Sequence, residues 1–147
     1  MWTVEVYEAE NGTVPYERFI GELNDLKFAA LDAAVERVLA VRGLELARTE
    51  WLKALGGGLH EFRVRHQAGE ITRMFGGDAP KAGARRQKVL LRVFVHFHGD
   101  RVVLTLGGYD KGDDPKERRQ QREINDARKL VAEFKDRQRR DRRGRGR

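Results

Sequence analysis

The sequence predicts an α+β protein with one twisted, mostly antiparallel sheet, two N-terminal helices on one face and a C-terminal helix. Three observations carry this. Strongly β-forming runs occur at Trp2–Tyr7, Leu59–Arg65, Val89–Phe97 and Arg101–Leu106. Apolar residues at helical spacing fill two stretches, 16–39 and 124–134. The 147 residues suit one domain and can enclose a real core.

The first run alternates Trp2, Val4 and Val6 against Thr3, Glu5 and Tyr7, as a half-buried strand does, and Asn11-Gly12 ends it with a turn signal. Pro15 can open a helix, because the first helical position needs no N–H. Tyr16, Phe19, Ile20 and Leu23 then recur at helical spacing. Asn24 or Asp25 can cap a second helix, whose stripe is Leu26, Leu31, Ala34, Val35, Val38 and Leu39, and Gly43 can stop it.

Trp51–Leu55 holds a bulky apolar pair before Gly56-Gly57-Gly58 breaks the chain. In the next strand, Leu59, Glu61, Arg63 and Arg65 share one side, and His60, Phe62 and Val64 the other. Ile71–Phe75 is expected as a short additional strand, and Gly76–Arg86 as a mobile surface loop. Val89–Phe97 places Leu90, Arg92, Phe94 and His96 on one face. Val89, Leu91, Val93, Val95 and Phe97 make the other, fully apolar face, which should meet the helices. His98-Gly99-Asp100 should form a hairpin loop to Arg101–Leu106, and Gly107–Pro115 a turn-rich exit. Ile124, Ala127, Leu130, Val131 and Phe134 predict the last helix. Beyond Phe134 no hydrophobic residue remains, so residues 1–134 are expected as the domain and 135–147 as a disordered tail.

The net charge is +7, and 135–147 hold eight basic residues against two acidic ones. Most of the excess therefore belongs to the tail, which suits a polyanionic partner and says little about the body. There are no cysteines, which excludes disulfides and thiolate chemistry. The N-terminus lacks the charged and apolar regions of a secretory signal, and no apolar run approaches a membrane span. The expectation is a cytoplasmic protein without a membrane partner.

The order of GGGLHEFRVR, LLRVFVHF, VVLTLGGYDK and REINDARK resembles the HigB branch of the RelE toxin superfamily. The resemblance rests on Gly58, Leu59, Glu61, Phe62 and Arg63, then Arg92, then Tyr109 and Lys111, then Glu123, Ile124 and Ala127. It spans roughly residues 2–134. It implies a RelE-like fold and cleavage of messenger RNA, commonly on the ribosome, without a metal or other cofactor. It also implies neutralisation by a small helix-turn-helix, HigA-like antitoxin. Two insertions depart from the pattern. One lies between Gln67 and Lys88, where the strand-like EITRMF makes Arg73 a competitor of Arg92; the other lies between Pro115 and Glu123.

Such cleavage needs proton removal from the ribose 2′-hydroxyl, charge stabilisation at phosphorus and proton donation to the leaving oxygen. Arginine suits the second task, because its fork stays charged and grips phosphate oxygens in pairs. By this resemblance Arg63 and Arg92 are phosphate clamps, Glu61 a base or orienting group, and Lys111 a charge stabiliser or proton donor. Arg65, Arg73, His96 and Tyr109 are candidate substrate contacts, with Tyr109 stacking on a base. The competing readings are an ordinary Glu61–Arg63 ion pair, a binding module without turnover, and a general DNA-binding protein. His96-x-His98 has metal-ligand spacing but no convincing third ligand.

Overall fold

The computed structural model describes residues 1–77 and 87–145. A five-stranded mixed sheet runs in the order β1-β5-β4-β3-β2. Its strands are β1 (Thr3–Val6), β2 (Leu52–Gly56), β3 (Leu59–Val64), β4 (Leu91–His98) and β5 (Val102–Asp110). β1 pairs in parallel with β5, and the other neighbours are antiparallel.

One face carries α1 (Pro15–Gly21) and α2 (Asp25–Ala34). Asn24 caps α2 by accepting a hydrogen bond from the Lys27 amide. The helix continues through a π-helical turn, Val35–Leu39, into α3 (Ala40–Arg42). It stops at Gly43, which takes φ +48° and lies directly against the Trp2 ring. A side chain there would collide with that ring, so glycine meets both a backbone and a packing demand. Phe19, Leu31, Val38 and Leu39 close over Phe62, Val64, Val89, Leu91, Val93 and Val95. The apolar face of β4 therefore meets the helices, as its alternation predicts.

The opposite face is covered by α5 (Glu117–Arg145). Ile124, Ala127 and Val131 pack on Leu59, Phe94, Leu104, Leu106 and Tyr109. The stripe read from the sequence is thus this helix's docking face.

Four expectations change. Ile71–Phe75 is not a strand: it belongs to α4 (Ala68–Phe75), which packs on α2 and buries Ile71. EITRMF contains β formers, but its apolar residues also fall on one helical face, and burial against α2 decides. Trp51–Leu55, given no element above, contains most of edge strand β2, and the three glycines turn it into β3. β5 continues through Gly107 and Gly108 to Asp110 instead of ending at Leu106. α5 runs to Arg145, past Phe134, where the sequence ends the helix and begins a disordered tail. Arg137 donates to the Glu8 carbonyl and Arg140 pairs with Glu10, so polar contacts hold this part where apolar burial cannot. The loop expected at Gly76–Arg86 lies outside the described residues except for Gly76 and Gly77.

Candidate functional site

Three sheet positions align on the α5 face. Arg63 on β3 pairs with Arg92 on β4, and Arg92 with Tyr109 on β5. Two like charges directly opposite each other repel. Glu61, two residues before Arg63 on the same face, resolves this. Its Oε1 accepts a hydrogen bond from Arg63 Nε at 2.9 Å and lies 3.5 Å from Arg92 Nε. Its Oε2 accepts from the Gln120 side chain of α5 at 3.3 Å. Glu61 is fully buried and Arg92 is 3% exposed. The carboxylate joins two strands and the helix above them.

Tyr109 reaches this row through an irregularity in β5. Alternation from Leu104 and Leu106 would turn residue 109 toward the other face. The register shifts at Phe94/Val95: Phe94 opposes Gly107, Val95 opposes Thr105, and Leu106 is the extra residue. Such a bulge reverses the facing of everything beyond it. Gly107 adopts φ +127°, a backbone conformation suited to glycine. Tyr109 consequently stacks on Phe94, 6.2 Å between ring centroids, beneath the Arg119 guanidinium at 5.4 Å.

The Tyr109 ring is 1% exposed, so the expected stacking on a nucleobase is not open to it in this structure. Its hydroxyl is buried without a hydrogen-bond partner, and so is Arg92 Nε. Burial, followed by the Glu61 charge, pushes the phenol up to about 12. Burial lowers the Arg92 value while Glu61 opposes that shift. Lys111 follows β5 immediately, and its amide donates to the Leu90 carbonyl. Burial first, then the Arg92 charge, lowers its ammonium below the ordinary lysine range. Arg63 and Arg65 act on it in the same direction. Arg63, Arg92 and Lys111, with the exposed Arg65 nearby, thus share this end of the sheet with the buried Glu61 carboxylate, while Asp110, Asp114 and Glu123 are paired with Lys27 and Arg119. Such a site favours an anion with several oxygens.

The expected residues do not all converge. Arg65 lies just past β3 and is exposed. Arg73 is exposed on α4, in the helical layer across the sheet, so it does not share the row with Arg92. His96 shares the Arg92 face but lies about 14 Å farther along the strand, at roughly 3.4 Å per residue. There its Nδ1 is 2.6 Å from the Gly58 carbonyl, and its ring stacks with His98 and meets Phe134 edge-on. Among the described residues, no three His, Cys, Asp or Glu side chains are grouped to hold a metal ion.

Gln120 and Arg119 escaped the sequence reading. The Ile124/Ala127/Val131 stripe was the available signal. Gln120 lies one helical turn before Ile124 on that docking face, so it too must point at the sheet. Beside this cover, a cleft of about 540 Å3 opens between α1 and α5, lined by Phe19, Phe94, Gly107, Arg119 and Asp126. It adjoins the buried row through Phe94 and Arg119. The row can bind an oxyanion and supply protons to it, with its accessible side at Arg63, Arg65 and Lys111. No protein-family model, no curated protein and no solved structure matches the chain.

Proposed function

We propose that this chain is an RNA endonuclease toxin of the RelE/HigB kind, cleaving messenger RNA on the ribosome without a metal ion. The observation that carries the reading is the convergence of Glu61, Arg63, Arg92 and Lys111 beneath the start of α5. The sequence motifs proposed for this chemistry come from three separate strands, and the fold gathers them.

In the proposed reaction the ribose 2′-oxygen attacks the adjacent phosphorus. The O2′–P bond forms and the P–O5′ bond breaks, leaving a 2′,3′-cyclic phosphate and a 5′-hydroxyl. Arg63 and Arg92 bind the non-bridging oxygens, whose charge grows in the transition state, and Glu61 Oε1 holds both guanidiniums in register. Glu61 Oε2, engaged by Gln120 alone, takes the 2′ proton once that contact opens. Lys111, made more acidic by its surroundings, donates the proton that the leaving 5′-oxygen needs. The RNA strand enters from the side of Arg65 and follows the cleft between α1 and α5. The natural antagonist would be a small helix-turn-helix, HigA-like antitoxin, and the compartment the cytoplasm. Among the described residues, no helix is long and apolar enough to cross a membrane.

A second reading, an RNA- or ribosome-binding module without turnover, is favoured by one observation. Gln120 and Arg119 lie over Glu61 and Tyr109, so the row is covered by α5. Growth separates the two readings. Expressed without a partner, the chain should arrest growth, and Arg92→Ala or Arg63→Ala should relieve the arrest. Arg139→Ala, which removes a cation far from the row, should not. If all three variants relieve it equally, electrostatic binding explains the protein and the catalytic assignment falls.

A further inference from the structure

α5 carries a second surface, on the side opposite its docking stripe. Arg118, Arg122, Asn125, Lys129, Asp136, Arg140 and Arg143 recur at steps of three, four or seven residues, and all are exposed. At 3.6 residues per turn they form one ridge, from Arg118 to Arg143 about 37 Å long at roughly 1.5 Å per residue. Five of the seven are cations and one is an acid. Asp136 is engaged by Arg139 and Arg140, and Arg140 also pairs with Glu10. Arg118, Arg122, Lys129 and Arg143 make no ion pair among the described residues. An ordinary solvated face intersperses both signs and gains from i,i+4 pairs. Asp126, exposed one turn from Arg122 and Lys129, pairs with neither, so four ridge cations have no ion-pair partner among the described residues, on a helix whose other face packs on the sheet.

We propose that the ridge is a docking surface for double-stranded RNA. Cations spread at uneven steps along about 37 Å of one continuous helix match a partner whose anions are held on an equally long and stiff frame, as duplex phosphates are. A flexible single strand offers no such frame. The ridge also holds a neutral pair: the Gln121 amide donates to Asn125 Oδ1 at 2.9 Å. That bond leaves the Asn125 amide nitrogen able to donate and the Gln121 oxygen able to accept, between Arg118 and Lys129. A 2′-hydroxyl, which both donates and accepts, suits such a pair and distinguishes RNA from DNA. The choice of RNA over DNA rests partly on the function proposed above; the existence of the polyanion surface does not. The ridge positions the protein on structured RNA while the row beneath α5 acts on a separate strand.

The test uses the full chain and a blunt RNA duplex, with a DNA duplex and a single-stranded RNA of matching sequence, titrated by fluorescence anisotropy over a range of salt. The combined variant Arg118→Gln, Arg122→Gln, Lys129→Gln and Arg143→Gln keeps helix propensity, and circular dichroism checks its helix content. The wild type should bind the RNA duplex most tightly. The variant should lose affinity, with the slope of log K against log salt reduced by about three to four, near one per phosphate contact. Arg73→Gln, which removes an exposed cation on α4 across the sheet, should leave duplex binding and its slope unchanged, which separates this surface from general positive charge. An unchanged slope in a folded variant would overturn the proposal, as would preference for the single strand or the DNA duplex. A failure to cleave RNA would count against the proposed function and leave the duplex result standing.

Discussion

Tyr109 separates the structural from the chemical demands on single residues. Its hydroxyl is buried with no partner, a condition that costs stability in a purely structural side chain. Tyr109→Phe should therefore leave stability unchanged or raise it by about 1 kcal/mol in urea unfolding. If the hydroxyl contacts the bound phosphate, the same variant should cleave RNA roughly ten- to a hundredfold more slowly. Loss of stability with full cleavage would place the hydroxyl in an internal network. Lys111 makes a pH-dependent claim. Its folded-state value lies below the ordinary one, so between the two the unfolded chain holds the extra proton. Stability from this group is therefore missing at neutral pH and is gained as pH rises through that window. For catalysis the direction is opposite: a donor must carry its proton. The alkaline limb of the cleavage rate should begin below the ordinary lysine range, and Lys111→Arg should move it upward. A limb that stays in place in Lys111→Arg would remove Lys111 from the proton path.

The elements that position the site depend on one extra residue in β5. With Leu106 bulged out, Tyr109 joins Arg92 and Arg63; in regular alternation it would lie among the α1 side chains. Gly107 permits this at φ +127°, and a β-branched residue there meets both strain and the Pro15 side chain. Gly107→Val should cost about 1–3 kcal/mol of stability. It should also shift the Tyr109 ring signals, measurable by chemical denaturation and NMR; a stable variant with unchanged Tyr109 shifts would contradict the role given to the bulge. The same bulge shows why the site was only partly legible in the sequence. Glu61/Arg63 and Arg92/Phe94 lie on regular strands, and period-two alternation assigns their faces correctly. Tyr109 lies beyond a register shift that alternation cannot carry across. EITRMF satisfies two periods, and packing against α2 chose between them. Arg137 and Arg140 extend α5 through contacts with Glu8 and Glu10, far away in the sequence, which no local rule for a charged tail detects.

For the whole molecule, the two sides of one helix differ in character. The inner side of α5 brings Gln120 to a buried carboxylate, and its outer side carries the basic ridge. The α+β class, the helix-facing side of β4 and the docking stripe of α5 all follow from periodicity, so the body around the site rests on ordinary burial. The chemistry remains the central claim, and its most direct test is the product of cleavage. Purified protein is mixed with ribosomes programmed with an end-labelled messenger RNA, in chelator, and the new 3′ ends are analysed. The account predicts 2′,3′-cyclic phosphate ends from the wild type, with Arg92→Ala slower by about a hundred- to a thousandfold. No cleavage above a protein-free blank, or Arg92→Ala cutting as fast as the wild type, would contradict it.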